Sequence, residues 1–490
     1  MSILNRQITS ASKWSAISEI VAKLINPVLT IILARVLTPE TFGVVATITM
    51  IVSFVEIFTD AGFQKYLIQH EFENEKEKYH CTTVAFWSNL ILSFLLWGII
   101  AIFNKSLARL VGSPGLGYVI VISCVSIPLQ AFSSIQRALF KREFDFKTLF
   151  YVRLVTISIP LFITIPLAFI FKNYWALVLG TIVMNFSNAI ILTIKSKWKP
   201  NLFYSWKMLK QMLSFSIWTI VESISIWLTN YIDVFIIGMA LNEYYLGIYK
   251  TSITTVGQIM GLITAATTPV LFSSLSRLQN DRSAFDEIFF KFQKIVGLLI
   301  FPIGIGIFCY SDLLTQLLLG NQWFEASGFI GIWALMSTIT IVFSVFCSEV
   351  YRAIGKPKLS VLSQVLHIII LWPAILVAVH QNFEVLYYTR SLVRFEAIFV
   401  DLCIMFFVVK ISPMMMLKNV YPSMLSSLCM GGIAWGLLQM GTSIIWSFVS
   451  IVFSILIYVL GIMMFPSERS IVLVLKDNIV NKILGKSCLK

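Results

Sequence analysis

Apolar residues run along this chain in stretches of about twenty, broken by short polar segments rich in lysine and arginine. At the rise of an α-helix, such a stretch matches the hydrocarbon thickness of a bilayer. Fourteen spans can be marked. The first six are Trp14–Leu37, Phe42–Gln69, Thr82–Phe103, Leu116–Gln136, Thr148–Phe171 and Tyr174–Ile194. The next six are Met208–Ile232, Leu246–Phe272, Phe292–Leu319, Phe329–Tyr351, Leu359–Val379 and Val385–Val409. Tyr421–Met440 and Ser443–Phe465 complete the set. The pattern predicts an all-α integral membrane protein, because only helices satisfy every backbone polar group within one apolar segment.

The basic residues test the count. With the N-terminus in the cytoplasm, 29 of the 37 lysines and arginines fall on cytoplasmic segments, 4 on outer ends and 4 inside spans. Positive charge is retained on the cytoplasmic side of membrane proteins, and a wrong span number would invert half of the loops. Fourteen spans with both termini in the cytoplasm follow. Residues 1–12 are polar and lack a signal-peptide core, so the first span is expected to serve as its own insertion signal.

Composition removes the soluble alternatives. Hydrophobic residues make up 58% of the 490 and charged residues 12%, with a mean hydropathy of +0.86. Soluble domains carry about 25% charged residues. The net charge of +13 sits in the topological clusters, which argues against nucleic acid as a partner. Seven cysteines form no CxxC pair, and the four histidines are scattered, so no metal site or cofactor is expected. No nucleotide-binding glycine motif occurs. The outer loops are all short, which counts against a membrane-embedded enzyme of saccharide synthesis. Residues 466–490 alternate apolar and basic positions and are expected to form an amphipathic tail on the cytoplasmic face.

The chain also repeats. Leu37-Thr-Pro-Glu-Thr-Phe-Gly43 follows the first span, and Leu241-Asn-Glu-Tyr-Tyr-Leu-Gly247 follows the seventh, at an offset of 204 that also aligns Asn26 with Asn230. Arg137-Ala-Leu-Phe-Lys141 follows the fourth span, and Arg352-Ala-Ile-Gly-Lys356 follows the tenth. Spans 1–6 thus lie over spans 7–12 in the same orientation, a parallel pseudo-two-fold repeat of the kind found in secondary transporters. The expected organisation is an N-lobe over 1–203, a C-lobe over 204–410, two extra helices over 411–465 and the tail.

Candidate chemistry lies inside the spans. An intramembrane charge is costly and faces a cavity or a partner. Ser12, Ser15, Glu19, Lys23, Asn26 and Thr30 share one face of span 1, with Glu19 and Lys23 spaced to pair. Thr49, Ser53, Glu56, Asp60 and Gln64 share a face of span 2. Thr219, Glu222, Thr229, Asn230 and Asp233 do so in span 7, and Lys250, Thr254, Gly257, Gly261, Thr264 and Thr268 in span 8. Arg390, Arg394 and Asp401 align in span 12. These stripes predict a central water-filled cavity between the lobes, with Arg394, Arg390, Lys250 and Lys23 as cations for an anionic substrate. Glu19, Asn26, Glu56, Asp60, Glu222, Asn230, Asp233 and Asp401 are the candidates for lining it or coupling an ion. Blander readings stand beside these. Glu19–Lys23 serves equally as a structural ion pair, Asp60 and Asp233 as solvated helix ends, and Glu349–Arg352 as a local pair. Glu396 points away from the arginine stripe toward another helix.

The run Leu33-Ala-Arg-Val-Leu-Thr-Pro-Glu-Thr-Phe-Gly43 resembles the first-loop signature of bacterial polysaccharide flippases of the Wzx type, in the branch of colanic acid and teichuronic acid exporters. Asp60-Ala-Gly-Phe63, Arg137-Ala-Leu139, Asp233-Val-Phe-Ile-Ile-Gly238, Leu246-Gly-Ile-Tyr249 and Pro269-Val-Leu-Phe272 are similar to further landmarks of that branch. The resemblance covers most of residues 1–410. It implies the V-shaped fold of the multidrug/oligosaccharidyl-lipid/polysaccharide exporter superfamily. The implied substrate is undecaprenyl-diphosphate-linked oligosaccharide, moved by alternating access with proton or sodium coupling. A polysaccharide polymerase as partner and a monomeric state are also implied. A peptidoglycan-precursor flippase and a drug antiporter of the same superfamily are the alternatives. Cationic drugs favour an acidic cavity, and the Arg390–Arg394 pair argues against the antiporter.

Overall fold

The computed structural model describes residues 3–60, 62–441, 443–470 and 473; the side chains of residues 3–9, 214–219 and 222 lie outside that description. Every regular element in it is helical. Thirteen helices among the described residues are long and apolar enough to cross a membrane. They are α1 (Ile3–Val36), α2 (Pro39–Asp60), α3 (Glu75–Ile102), α4 (Gly117–Arg142), α5 (Phe146–Phe171), α6 (Trp175–Lys195) and α7 (Trp206–Ala240), then α8 (Glu243–Arg277), α9 (Arg282–Cys309), α10 (Ala326–Ala353) and α11 (Lys358–Ala378), and finally α13 (Pro413–Met440) and α14 (Ile444–Met463). The expected twelfth span is present but broken. It runs as Phe383–Leu392 and Arg394–Ile404, interrupted at Val393 and ending in a π turn, Met405–Val409; it is α12 here. Five charged residues, Glu384, Arg390, Arg394, Glu396 and Asp401, lie along it, which is why it fails the apolar test that the other thirteen pass.

Local chemistry places the helix ends. Asn74, Asp145, Ser205, Asp281 and Ser443 each precede a helix and accept a hydrogen bond from a backbone N–H of its first turn. Prolines lie inside α1, α8, α9, α11 and α13. Apolar helices in a bilayer tolerate them when neighbours and local adjustments satisfy the freed carbonyls. π turns interrupt α5 at Pro160–Thr164 and α10 at Ile341–Val345. Of the tail expected over 466–490, residues from 471 onward other than Leu473 lie outside the described residues.

The chain forms two compact units, Met1–Thr251 with Ile375–Phe383, and Ser252–Ala374 with Glu384–Lys490. In the first, a core of Phe63, Leu67, Phe86, Ile135, Leu139 and Met212 ties the short helix Phe63–Gln69 to α3, α4 and α7. Arg142 of α4 caps that short helix, donating to the carbonyls of Leu67 (2.7 Å) and His70 (2.7 Å) while lying over the Phe72 ring. The repeated loop motifs meet in the same unit. A Cβ on Gly43 would overlap the Glu243 carbonyl, and a Cβ on Gly247 would overlap the Pro39 carbonyl. Pro39 and Glu243 hold the same place in the two motifs, so the contact is reciprocal, as a two-fold relation requires. Gly112, at φ +77°, makes a second close approach, to the carbonyl of Gly238.

In the second unit the last two helices cover α9. Tyr310 shares hydrogen bonds with Ser450 (2.7 Å) and Ser454 (3.0 Å), and Tyr458 donates to the Leu298 carbonyl (2.6 Å). Lys294 reaches the buried Glu468 at 3.4 Å. Arg282, at the start of α9, donates to the Val409 and Lys410 carbonyls and so closes the C-terminal end of α12.

Candidate functional site: polar cavities and an arginine pair

Among the described residues of the first unit lie polar cavities of about 360, 320 and 350 Å³. The largest of the three lies between α1, α4, α5 and α6, lined by Ser15, Ser18, Arg137, Lys141, Arg153 and Asn188. The next contains Asp60, Gln64, Asn89, Ser134 and Arg137. The third lies among α2, α4, α6 and α7 and contains Thr49, Ser126, Thr181, Asn185 and Tyr231. Arg137 lines the first and second; Ser53, Glu56 and Gln130 line the second and third. Thr49, Ser53, Glu56 and Asp60 of α2, with Gln64 of the short helix that follows, thus line the second and third cavities. A fourth hollow of about 620 Å³, lined by Leu90, Phe94, Phe132 and Phe186, is apolar and carries no candidate chemistry.

The α1 stripe is divided: Ser15 lines the first cavity, and the charged members beyond it are held otherwise. Glu19 pairs with Arg153 of α5 at 2.9 Å, not with Lys23. The expected Glu19–Lys23 pair is corrected on that distance. A guanidinium from a packed neighbouring helix offers a better-directed donor than the flexible ammonium one turn away. Lys23 is half-buried on α1, and Asn26 is exposed, its carbonyl accepting from the Thr30 hydroxyl. On α7, Asn230 is exposed and donates to the Ile226 carbonyl, and the Glu222 side chain lies outside the described residues.

Asp233 does not sit in solvent as a helix-end residue would. It is 4% exposed, accepting from the Tyr249 hydroxyl at 2.6 Å and from the backbone N–H of Val234. That corrects the solvated reading: Tyr249 of α8 packs over the end of α7 and excludes water from the carboxylate. Lys250, next along α8, holds its ammonium 5.0 Å from the Tyr231 ring. Trp227 stacks near the same ring, packs on Phe54 and donates its indole N–H to Met50 and Ser53 of α2.

In the second unit, α12 presents its polar stripe to α10. The Arg394 guanidinium lies 4.0 Å from the Trp333 ring and donates to the Ser337 hydroxyl at 2.6 Å; the Arg390 guanidinium lies 5.0 Å from the same ring. Two turns along from Arg394, Asp401 is 1% exposed and accepts from the Ser344 and Tyr351 hydroxyls. Glu396 leaves the stripe and meets His367 of α11 at 3.1 Å, the separate partner that its angular position predicts. Glu349 and Arg352 form their local pair at 3.2 Å.

Several residues here escaped the sequence reading. Ser126, Gln130, Ser134, Arg137 and Lys141 follow helical spacing along α4, and Thr181, Asn185 and Asn188 do so along α6. The signal was therefore present in the periodicity. Trp333 and Ser337 carried none, because nothing in the sequence says which helix α12 faces.

The profile of the polysaccharide biosynthesis protein family matches residues 32–328. The chain belongs to that family. Relatives include the succinoglycan biosynthesis transport protein ExoT of Rhizobium meliloti, 25% identical over 70% of this chain and 68% of that one. The lipopolysaccharide biosynthesis protein WzxC of Escherichia coli is 21% identical over 65% of each chain. The teichuronic acid biosynthesis protein TuaB of Bacillus subtilis is 22% identical over 70% of each. The matches thus span about two thirds of these relatives. The fold is that of the lipid II flippase MurJ in an inward closed conformation, with TM-score 0.75 at 15% identity over 94% of this chain and 99% of that one. An inward-facing multidrug resistance MATE family transporter of the MOP superfamily shares it at TM-score 0.58 and 14% identity, over 79% of this chain and 96% of that one. Within the polysaccharide biosynthesis family, then, this member is a multi-pass membrane protein with the MOP fold.

Proposed function

We propose that this protein carries lipid-diphosphate-linked oligosaccharide from the cytoplasmic to the outer leaflet of the cytoplasmic membrane, for surface polysaccharide synthesis. The observation that carries the reading is the convergence of Arg390 and Arg394 on Trp333 within a spanning segment of a polysaccharide biosynthesis family member. Sugars and a diphosphate cannot cross hydrocarbon unaided, whereas a polyprenyl tail remains in the bilayer throughout. Guanidinium groups bind phosphate oxygens in pairs, and an aromatic ring beneath them fixes their plane without neutralising them. Lys23 and Lys250 supply further positive charge. The mechanism is alternating access of two six-helix lobes, with 1–203 and 204–410 as the lobes. Glu56 and Asp60 are the acids placed to couple a proton or sodium ion. Both termini lie in the cytoplasm, the protein acts as a monomer, and a polymerase consumes its product at the outer face.

The test replaces Arg394 and, separately, Arg390 with alanine in a strain that depends on this protein, and measures surface polysaccharide. A charge-assisted contact contributes about 1.5–3 kcal/mol, so each change is expected to lower export about ten- to a hundredfold at unchanged protein level. Full export with both changes would overturn the arginine assignment. Full polysaccharide in a strain lacking the protein would overturn the function.

A further inference from the structure

We infer that the 350 Å³ cavity of the first unit is a saccharide subsite, holding the sugar nearest the diphosphate; the inference rests on the transport reading above. Its walls match a sugar ring better than any other part of a lipid-linked saccharide. A pyranose presents hydroxyls that both donate and accept around its rim, and a C–H face that prefers an apolar or aromatic surface. The cavity offers Gln130 and Asn185, whose amides do both, Thr49 and Thr181 hydroxyls, and the Glu56 carboxyl group. Val52, Leu177 and Met184 provide apolar wall, and Tyr231 provides an aromatic one. The Thr49 and Thr181 hydroxyls donate to the Val45 and Leu177 carbonyls and keep acceptor capacity for a sugar hydroxyl, which a polyprenyl chain would leave unused. The volume lies near the lower end of the range of about 300–1,000 Å³ for small-molecule sites, room for one or two sugar residues but not for an oligosaccharide.

A second observation orients the occupant. Tyr231, a wall of the cavity, has the Lys250 ammonium 5.0 Å from its ring. In the substrate, the first sugar and the diphosphate are joined by a single glycosidic oxygen. One aromatic side chain therefore touches both the cavity and a cation of the charge that the adjoining phosphate requires. Trp227 braces the arrangement, packed between Tyr231 and Phe54 and hydrogen-bonded to Ser53, which itself lines the cavity. Its indole is a built-in reporter of occupancy.

The experiment titrates the full chain, reconstituted in nanodiscs, and follows tryptophan fluorescence. The probes are farnesyl diphosphate and its glucosyl, galactosyl and N-acetylglucosaminyl derivatives. At least one glycosylated probe is expected to bind about tenfold more tightly than farnesyl diphosphate. Asn185→Leu and Thr181→Val should each reduce that preference severalfold while leaving farnesyl diphosphate binding unchanged. Arg394→Ala should weaken every probe alike, which keeps the two sites distinguishable. Equal binding of sugared and bare probes, an undiminished preference in both cavity variants, or a response to sodium or pH without any sugar preference would overturn the subsite. Should no diphosphate probe bind while a strain lacking the protein still exports, the transport reading itself fails.

Discussion

At the residue scale, the important side chains are those held in place by an aromatic partner. Arg390 and Arg394 share Trp333, and Lys250 lies over Tyr231. A cation over a ring face gains about 0.5–2 kcal/mol and keeps its charge. Arg394→Lys is therefore expected to export more like Arg394→Ala than like wild type, because a lysine cannot both stack flat on Trp333 and offer a planar pair of donors. Surface polysaccharide at matched protein level checks this. Asp233 shows the opposite use of charge. Its carboxylate is buried and held by Tyr249, and Tyr249→Phe removes one of its donors. That variant should lose about 1–3 kcal/mol of stability, read as a lower melting temperature in detergent. Glu19→Gln should cost under about 1 kcal/mol, because both it and Arg153 are substantially exposed.

At the element scale, backbone approach decides more than side-chain chemistry. Gly43 and Gly247 let the start of α2 and the start of α8 touch carbonyl to Cα, and neither position has room for a methyl group. Gly43→Ala or Gly247→Ala should destabilise the protein by about 3 kcal/mol or more, since the obstructing atoms are backbone and cannot rotate away. Gly98→Ala, where a Cβ meets open space, is the control and should leave folded yield unchanged. Fluorescence-detected gel filtration of the three variants makes the comparison. α12 follows a related logic. It carries Arg390, Arg394 and Asp401 within an otherwise apolar run, and α10 offers Trp333, Ser337, Ser344 and Tyr351 along one face to receive them.

At the scale of the whole molecule, the charge distribution and the last two helices carry the predictions. Reporter fusions at either terminus should both read as cytoplasmic, because 29 of 37 basic residues lie on the side that this topology assigns to the cytoplasm. An outer-face signal from either end would refute the topology. Truncation after residue 410 should abolish accumulation rather than merely reduce transport. Ile305 of α9 and Tyr310 at its C-terminal cap lose their cover by Gly431, Ser450 and Ser454. Immunoblotting of membranes, with the full chain alongside, separates the two outcomes.

The sequence by itself determined the medium, the helix count and the repeat. Each rests on a one-dimensional pattern: twenty-residue apolar runs, loop charge, and two motifs at a constant offset. It also placed Glu56 and Asp60 on one stripe of their helix, and Glu396 off the arginine face, because helical spacing alone sets the angle of a side chain around its own axis. Tertiary structure decided the partners. Spacing allowed Glu19 to reach Lys23, but α5 packs against α1 and brings Arg153 instead. Asp233 looked like a solvated helix end until Tyr249 covered it. Trp333 was invisible, since an apolar residue in a spanning run signals nothing until a neighbouring helix brings arginines to it. The same limit applied to the two glycines: the motif spacing was legible, but that each glycine makes room for the other motif's carbonyl depends on backbone contact between segments 204 residues apart. A sequence specifies which face of a helix is polar; which helix that face meets is settled by packing.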